Sequence, residues 1–194
     1  MKYFVFLEFT NPEVKELLRS LRDAFTGKKT KKIPHVTVRG PYETPPDKEK
    51  LDQLSEKLRG YGVLIGGAGI FEVDKGYVVY LQVQSPMFSE IWWKPDYNVS
   101  TFGLNPHITI YETEILQEAK AVQTFLRKER IEIFTFNLEL TLYKSSKQLD
   151  LFDVQKGTDE TVRRMMYGRW KVRPGIVERA ITLRESLNQM NNHQ

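Results

Sequence analysis

Two pentapeptides constrain this 194-residue chain more than any other feature: Pro34-His35-Val36-Thr37-Val38 and Pro106-His107-Ile108-Thr109-Ile110. Both fit the pattern P-H-[V/I]-T-[V/I], and their histidines lie 72 residues apart. The third histidine, His193, stands next to the last residue, so both histidines of the chain's body share one local context. β-Branched residues flank a polar side chain at every second position, which is a strand pattern with one apolar face. Side chains alternate across a strand, so His35 and Thr37 share one face while Val36 and Val38 share the other. His107 and Thr109 stand in the same relation to Ile108 and Ile110.

The sequence around the motifs repeats in element order. Tyr3–Phe9 is aromatic and β-branched, a strand. Asn11-Pro12 opens a helix, with Asn11 as N-cap, Pro12 at the first helical position, and Val14, Leu17, Leu18, Leu21 and Phe25 at helical spacing up to Gly27. A basic loop, Lys28 to Lys32, leads into the first motif strand, which Gly40-Pro41 ends. Asp47–Arg59 reads as a helix with Leu51, Leu54 and Leu58 on one face. Val63–Val73 reads as a strand interrupted by Gly66, Gly67 and Gly69, where a bulge or a close backbone approach is expected. A second round follows: strand Tyr77–Val83, a short helix over Pro86–Lys94, loop Asp96–Asn105, strand His107–Tyr111, helix Thr113–Lys128 and a long strand region Ile131–Tyr143. The first strand precedes the motif histidine by 32 residues in one half and 30 in the other, which argues for an internal duplication. Past Lys147 the repeat is exhausted. Leu149–Val154 reads as an edge strand, and Asp159–Trp170 and Pro174–Met190 as helices of a basic tail.

The expected fold is therefore α+β, with two pseudo-symmetric lobes around a central cleft, each an antiparallel sheet with outer helices. The bilobal domain spans 1–155, with lobes of about 1–75 and 76–155, and a mainly helical extension covers 156–194. Hydrophobic residues make up 40% and charged residues 28%, enough apolar material for a real core. Cysteine is absent, which excludes disulfides and thiolate metal sites and fits a cytoplasmic location. No membrane association is expected. The apolar run Tyr3–Leu7 is too short for a signal peptide and is followed at once by Glu8. The net charge of +4 leans toward anionic partners.

Two H-x-T strands brought together would present two imidazoles and two hydroxyls to one ligand. Imidazole moves protons near neutral pH, and a pair can supply one acid and one base. Hydroxyls can donate to the non-bridging oxygens of a phosphate. Such chemistry needs no metal, and the sequence has no H-x-x-x-H, no cysteine cluster and no Walker loop. Arg39 and Tyr111, two residues beyond each threonine, are expected on the motif face as substrate contacts. Lys32 in the basic loop and Tyr42 are further candidates, for phosphate and base respectively, with Trp92, Trp93, Tyr97 and Phe102 as other stacking candidates.

The paired motifs resemble those of the two-histidine (2H) phosphoesterase superfamily, which includes 2′-5′ RNA ligase-like proteins and cyclic phosphodiesterases. Val38 and Ile110 hold the hydrophobic position that follows each threonine. The resemblance implies His35 and His107 as the catalytic pair and Thr37 and Thr109 as phosphate-binding hydroxyls. It implies a substrate that is an RNA terminus or a small nucleotide with a cyclic or 2′-5′ phosphodiester; no cofactor and a monomer are expected. Which histidine serves as acid stays open, as does hydrolysis versus ligation. The alternative is a nucleotide- or RNA-binding module that keeps the cleft without turnover.

Overall fold

The computed structural model describes residues 2–30, 33–88, 105–145 and 170–191. In chain order they form β1 (Lys2–Phe9), α1 (Pro12–Thr26), β2 (His35–Tyr42), α2 (Lys48–Tyr61), β3 (Val63–Val73) and β4 (Gly76–Gln84). These are followed by β5 (His107–Thr113), α3 (Leu116–Glu129), β6 (Glu132–Thr135), β7 (Leu138–Ser145), β8 (Trp170–Lys171) and α4 (Ile176–Asn191). The fold is α+β. The expected helix over Pro86–Lys94 from residue 89 on, Trp92, Trp93, Tyr97, Phe102, Lys32, the strand at 149–154 and most of the helix at 159–170 lie outside the described residues. Among the described residues, no helix is long and apolar enough to cross a membrane.

Local chemistry sets the helix ends. The Asn11 side chain accepts the Glu13 and Val14 backbone N–H groups at 2.8 and 3.1 Å, satisfying donors that the first turn leaves unpaired. Gly27 ends α1 with φ of +66°, a left-handed conformation that glycine adopts without a Cβ clash. Asp47 caps α2 through the Glu49 N–H. Helix α3 starts at Leu116 rather than at Thr113, because β5 runs through Thr113, whose hydroxyl accepts the Ile115 N–H.

The strands form two antiparallel sheets, one ordered β2-β1-β7 and the other β5-β4-β3-β6-β8. They do not divide at residue 75. β3 pairs with β4 and β6, and β7 crosses back to pair with β1 along its whole length. The region 131–143 is therefore two strands in two sheets, not one. The chain leaves the ladder at Phe136-Asn137, where Asn137 donates to the Thr135 hydroxyl and its carbonyl accepts from Thr10 N–H.

One core joins the sheets and helices. Val5, Leu7 and Phe9 of β1, Val36 and Val38 of β2 and Ile108 and Ile110 of β5 are buried, against Leu18, Leu21 and Phe25 of α1 and Val122 and Leu126 of α3. Burying each such side chain contributes roughly 1.5–3 kcal/mol. A one-residue slip in β2 or β5 would expose the aliphatic set, so this burial fixes the register and with it the face on which the histidines stand. The bulge expected from the glycines of β3 is present between Gly66 and Ala68. The Ala68 carbonyl is taken up by Arg127 Nε of α3 at 3.0 Å.

Candidate active site

Strands β2 and β5 approach each other without pairing, each at an edge of its own sheet. Between them opens a pocket lined by Arg22, His35, Thr37, His107, Thr109 and Glu112. Its cavity volume is about 120 Å³, and it opens to solvent. The two imidazoles and two hydroxyls predicted to converge all line this one pocket.

Each histidine is held by the same device. His35 Nδ1 donates to the Ile33 carbonyl at 2.8 Å, and His107 Nδ1 donates to the Asn105 carbonyl at 2.7 Å, each acceptor two residues upstream. This bond selects the tautomer: with the proton on Nδ1, Nε2 of a neutral ring carries the lone pair. Aromatic side chains back both rings. Phe6 stacks on His35 with centroids 3.9 Å apart at 20°, and is itself stacked with Tyr143 at 5.0 Å. Tyr80 and Phe71 contact His107 at 5.2 and 5.1 Å. Gly69 makes room for the Tyr80 ring, since a Cβ there would lie 2.2 Å from it.

Burial moves the His107 pKa below its ordinary value of 6.5, against the opposing pull of the Asn105 carbonyl. On β1, Glu8 stands opposite His35. Burial raises its carboxyl pKa, and the nearby Thr141 hydroxyl, itself buried without a well-formed hydrogen bond, opposes this only in part.

Alternation breaks just past each threonine. In β2, Phe6 pairs with Thr37 but Val5 with Arg39, leaving Val38 extra. In β5, Tyr80 pairs with Thr109 but Val79 with Tyr111, leaving Ile110 extra. An added residue on one strand re-aims every side chain that follows. Paired residues share a face, and Val79 is fully buried, so Tyr111 turns to the core. Its ring lies 6.1 Å from Phe25, and its hydroxyl donates to Glu118 Oε2 at 2.9 Å. Tyr111 therefore does not line the pocket, contrary to strict alternation, and Glu112 takes the place beside Thr109. Tyr42 pairs with Tyr3 and packs partly buried against the core, away from the pocket lining. The Arg39 backbone stands opposite Val5, a core position of β1.

Two pocket residues were not anticipated. Glu112 is hidden by the bulge, which leaves no mark in a run of Ile-Tyr-Glu. Arg22 did leave one. It sits four residues after Leu18 and three before Phe25, on the apolar stripe of α1, where a charged side chain is out of place unless it has a task. Among the described residues, no group of three or more His, Cys, Asp or Glu side chains is arranged to hold a metal ion. No family model matches the chain, and neither does any curated protein.

Proposed function

We propose that this protein is a phosphodiesterase of the two-histidine type. It acts on an RNA end or a small nucleotide through paired-histidine acid–base catalysis. The observation that carries this reading is the meeting of two H-x-T pairs, from strands of different sheets, on one solvent-open pocket. The repeated carbonyl anchor and the repeated bulge favour a duplicated ancestor with pseudo-symmetric lobes that have exchanged a strand each.

For a 2′,3′-cyclic phosphate the roles follow from the environments. His107, kept neutral by burial, accepts a proton from water as the water oxygen bonds to phosphorus. The acid role falls to His35, which gives its proton to the ribose oxygen as that P–O bond breaks. Thr37 and Thr109 donate to the non-bridging oxygens, where charge grows in the transition state. The aromatic side chains beside both histidines hold the imidazoles in place rather than line the pocket.

The test is turnover of nucleoside 2′,3′-cyclic phosphates, 2′-5′ linked oligonucleotides and cyclic dinucleotides with excess EDTA. His35→Ala and His107→Ala should each reduce the rate about 10²–10⁴-fold. Thr37→Ala and Thr109→Ala should slow it with little loss of stability. Tight binding with no product from any of these substrates would replace the enzyme reading with that of a binding module.

A further inference from the structure

Proton transfer and the threonine hydroxyls leave two charged side chains of the pocket without a task. Arg22 reaches it from α1 and Glu112 from the end of β5. Arg22 is half-buried. Burial lowers its pKa, while the charges of Glu112 and Asp23 raise it. Among the described residues its guanidinium forms no hydrogen bond, although it has five N–H donors. A partly desolvated guanidinium with unused donors is suited to an oxyanion, which it can grip through two parallel bonds. Glu112, in the same pocket, makes the opposite contribution. Its carboxylate repels any anion that Arg22 attracts, and the repulsion grows with the anion's charge.

We infer that Arg22 and Glu112 form a charge filter: Arg22 receives the single negative charge of a phosphodiester, and Glu112 discriminates against the second charge of a phosphate monoester. The inference rests on the phosphodiesterase reading and gives that site its substrate class. It also gives the reaction a direction. Water adds to phosphorus, the ribose P–O bond breaks, one proton passes to His107 and one leaves His35 for the ribose oxygen. The product is a monoester whose remaining acidic proton has a pKa of about 6, so at neutral pH it goes to solvent and the ligand's charge moves from −1 toward −2. The filter admits the substrate and disfavours the product. Rejection by a placed repulsive group is a general route to specificity.

The experiment compares two ligands that differ by one methyl group and one charge. 2′-Deoxyadenosine 3′-(methyl phosphate) is a monoanionic diester with no neighbouring hydroxyl to open it. 2′-Deoxyadenosine 3′-monophosphate is dianionic at pH 8. Calorimetric titration of the full chain should show the diester bound more tightly. Glu112→Gln should shift the diester-to-monoester affinity ratio toward the monoester by about tenfold, the scale of one unit charge within ~10 Å at a protein surface. Arg22→Met should weaken both ligands. A wild-type preference for the monoester, a ratio that Glu112→Gln leaves within twofold, or no binding of either ligand overturns the filter. Should Glu112→Gln not fold, Glu112→Ser and the wild-type ratio decide. Turnover of adenosine 2′,3′-cyclic phosphate, measured in parallel, separates the two claims. Turnover with an unchanged ratio sinks the filter alone, and a shifted ratio without turnover sinks the phosphodiesterase reading alone.

Discussion

Tyr111→Phe tests the step from strand alternation to site composition. The substitution removes one oxygen and leaves the ring. In the fold that oxygen donates to Glu118 Oε2 at 2.9 Å, and the same carboxylate oxygen accepts from Thr113 Oγ1 at 2.7 Å. A hydrogen bond to a charged acceptor contributes about 1.5–3 kcal/mol when buried. Tyr111 is only half-buried and Glu118 keeps Thr113, so the expected loss is about 1 kcal/mol. With a urea slope of about 2 kcal/mol/M, the unfolding midpoint should fall by about 0.5 M. The thermal midpoint should fall by about 2–4 °C. Burial and the Glu118 carboxylate push the Tyr111 hydroxyl up to about 12. The fold thus favours the neutral phenol, so this contribution is complete below the usual tyrosine value near 10 and declines as pH rises toward 12. The variant, with no phenol to ionise, has no such decline, so the stability gap between the two proteins should narrow over that range. Nucleotide affinity and turnover should stay within twofold, because the ring faces Phe25 and not the pocket. An unchanged urea midpoint together with a fivefold change in nucleotide affinity would place the hydroxyl in the pocket and refute the bulge argument.

Two further perturbations probe the histidine environments. Because burial lowers the His107 pKa, its ring stays neutral below 6.5, and the acid limb of kcat/KM should fall below that value; an NMR titration of its ring protons with a midpoint above 6.5 would contradict the base role. The buried ring must charge on further acidification, so His107 also makes the fold less stable as pH drops through that range. Gly69→Ala forces the Tyr80 ring away from a Cβ that would lie 2.2 Å from it, in a cluster that already holds Phe71 and His107. The strain should cost about 0.5–1.5 kcal/mol in stability, as for a side chain driven off its rotamer. Turnover should fall at least tenfold, and a rate equal to that of the native protein would show that Tyr80 does not position His107.

What was legible in the sequence was whatever local rules decide. Asn11, Pro12 and Gly27 mark α1 through capping chemistry confined to a few residues. The glycines of β3 announce a bulge because they lack side chains, and the alternation in each motif puts His35 with Thr37 and His107 with Thr109. The exchange of β3 and β7 between sheets was not legible. Partner choice depends on surfaces far apart in sequence, and Ile131–Tyr143 carries the same β-branched and aromatic character on both sides of the Phe136-Asn137 break. The bulges at Val38 and Ile110 were equally silent, since a branched aliphatic fits a regular strand as well as a bulged one. Their consequence is chemical. With regular alternation the residue beside Thr109 would be the phenol of Tyr111; with the bulge it is the carboxylate of Glu112. A single inserted residue thus changes the pocket from one that could stack a base to one that weighs charge. The same bulge turns the Tyr111 ring inward against Phe25, where it helps fix the helix that carries Arg22. The bulge thus places the anion of the pocket and packs Tyr111 against the helix that carries its cation, so removing it should disturb both.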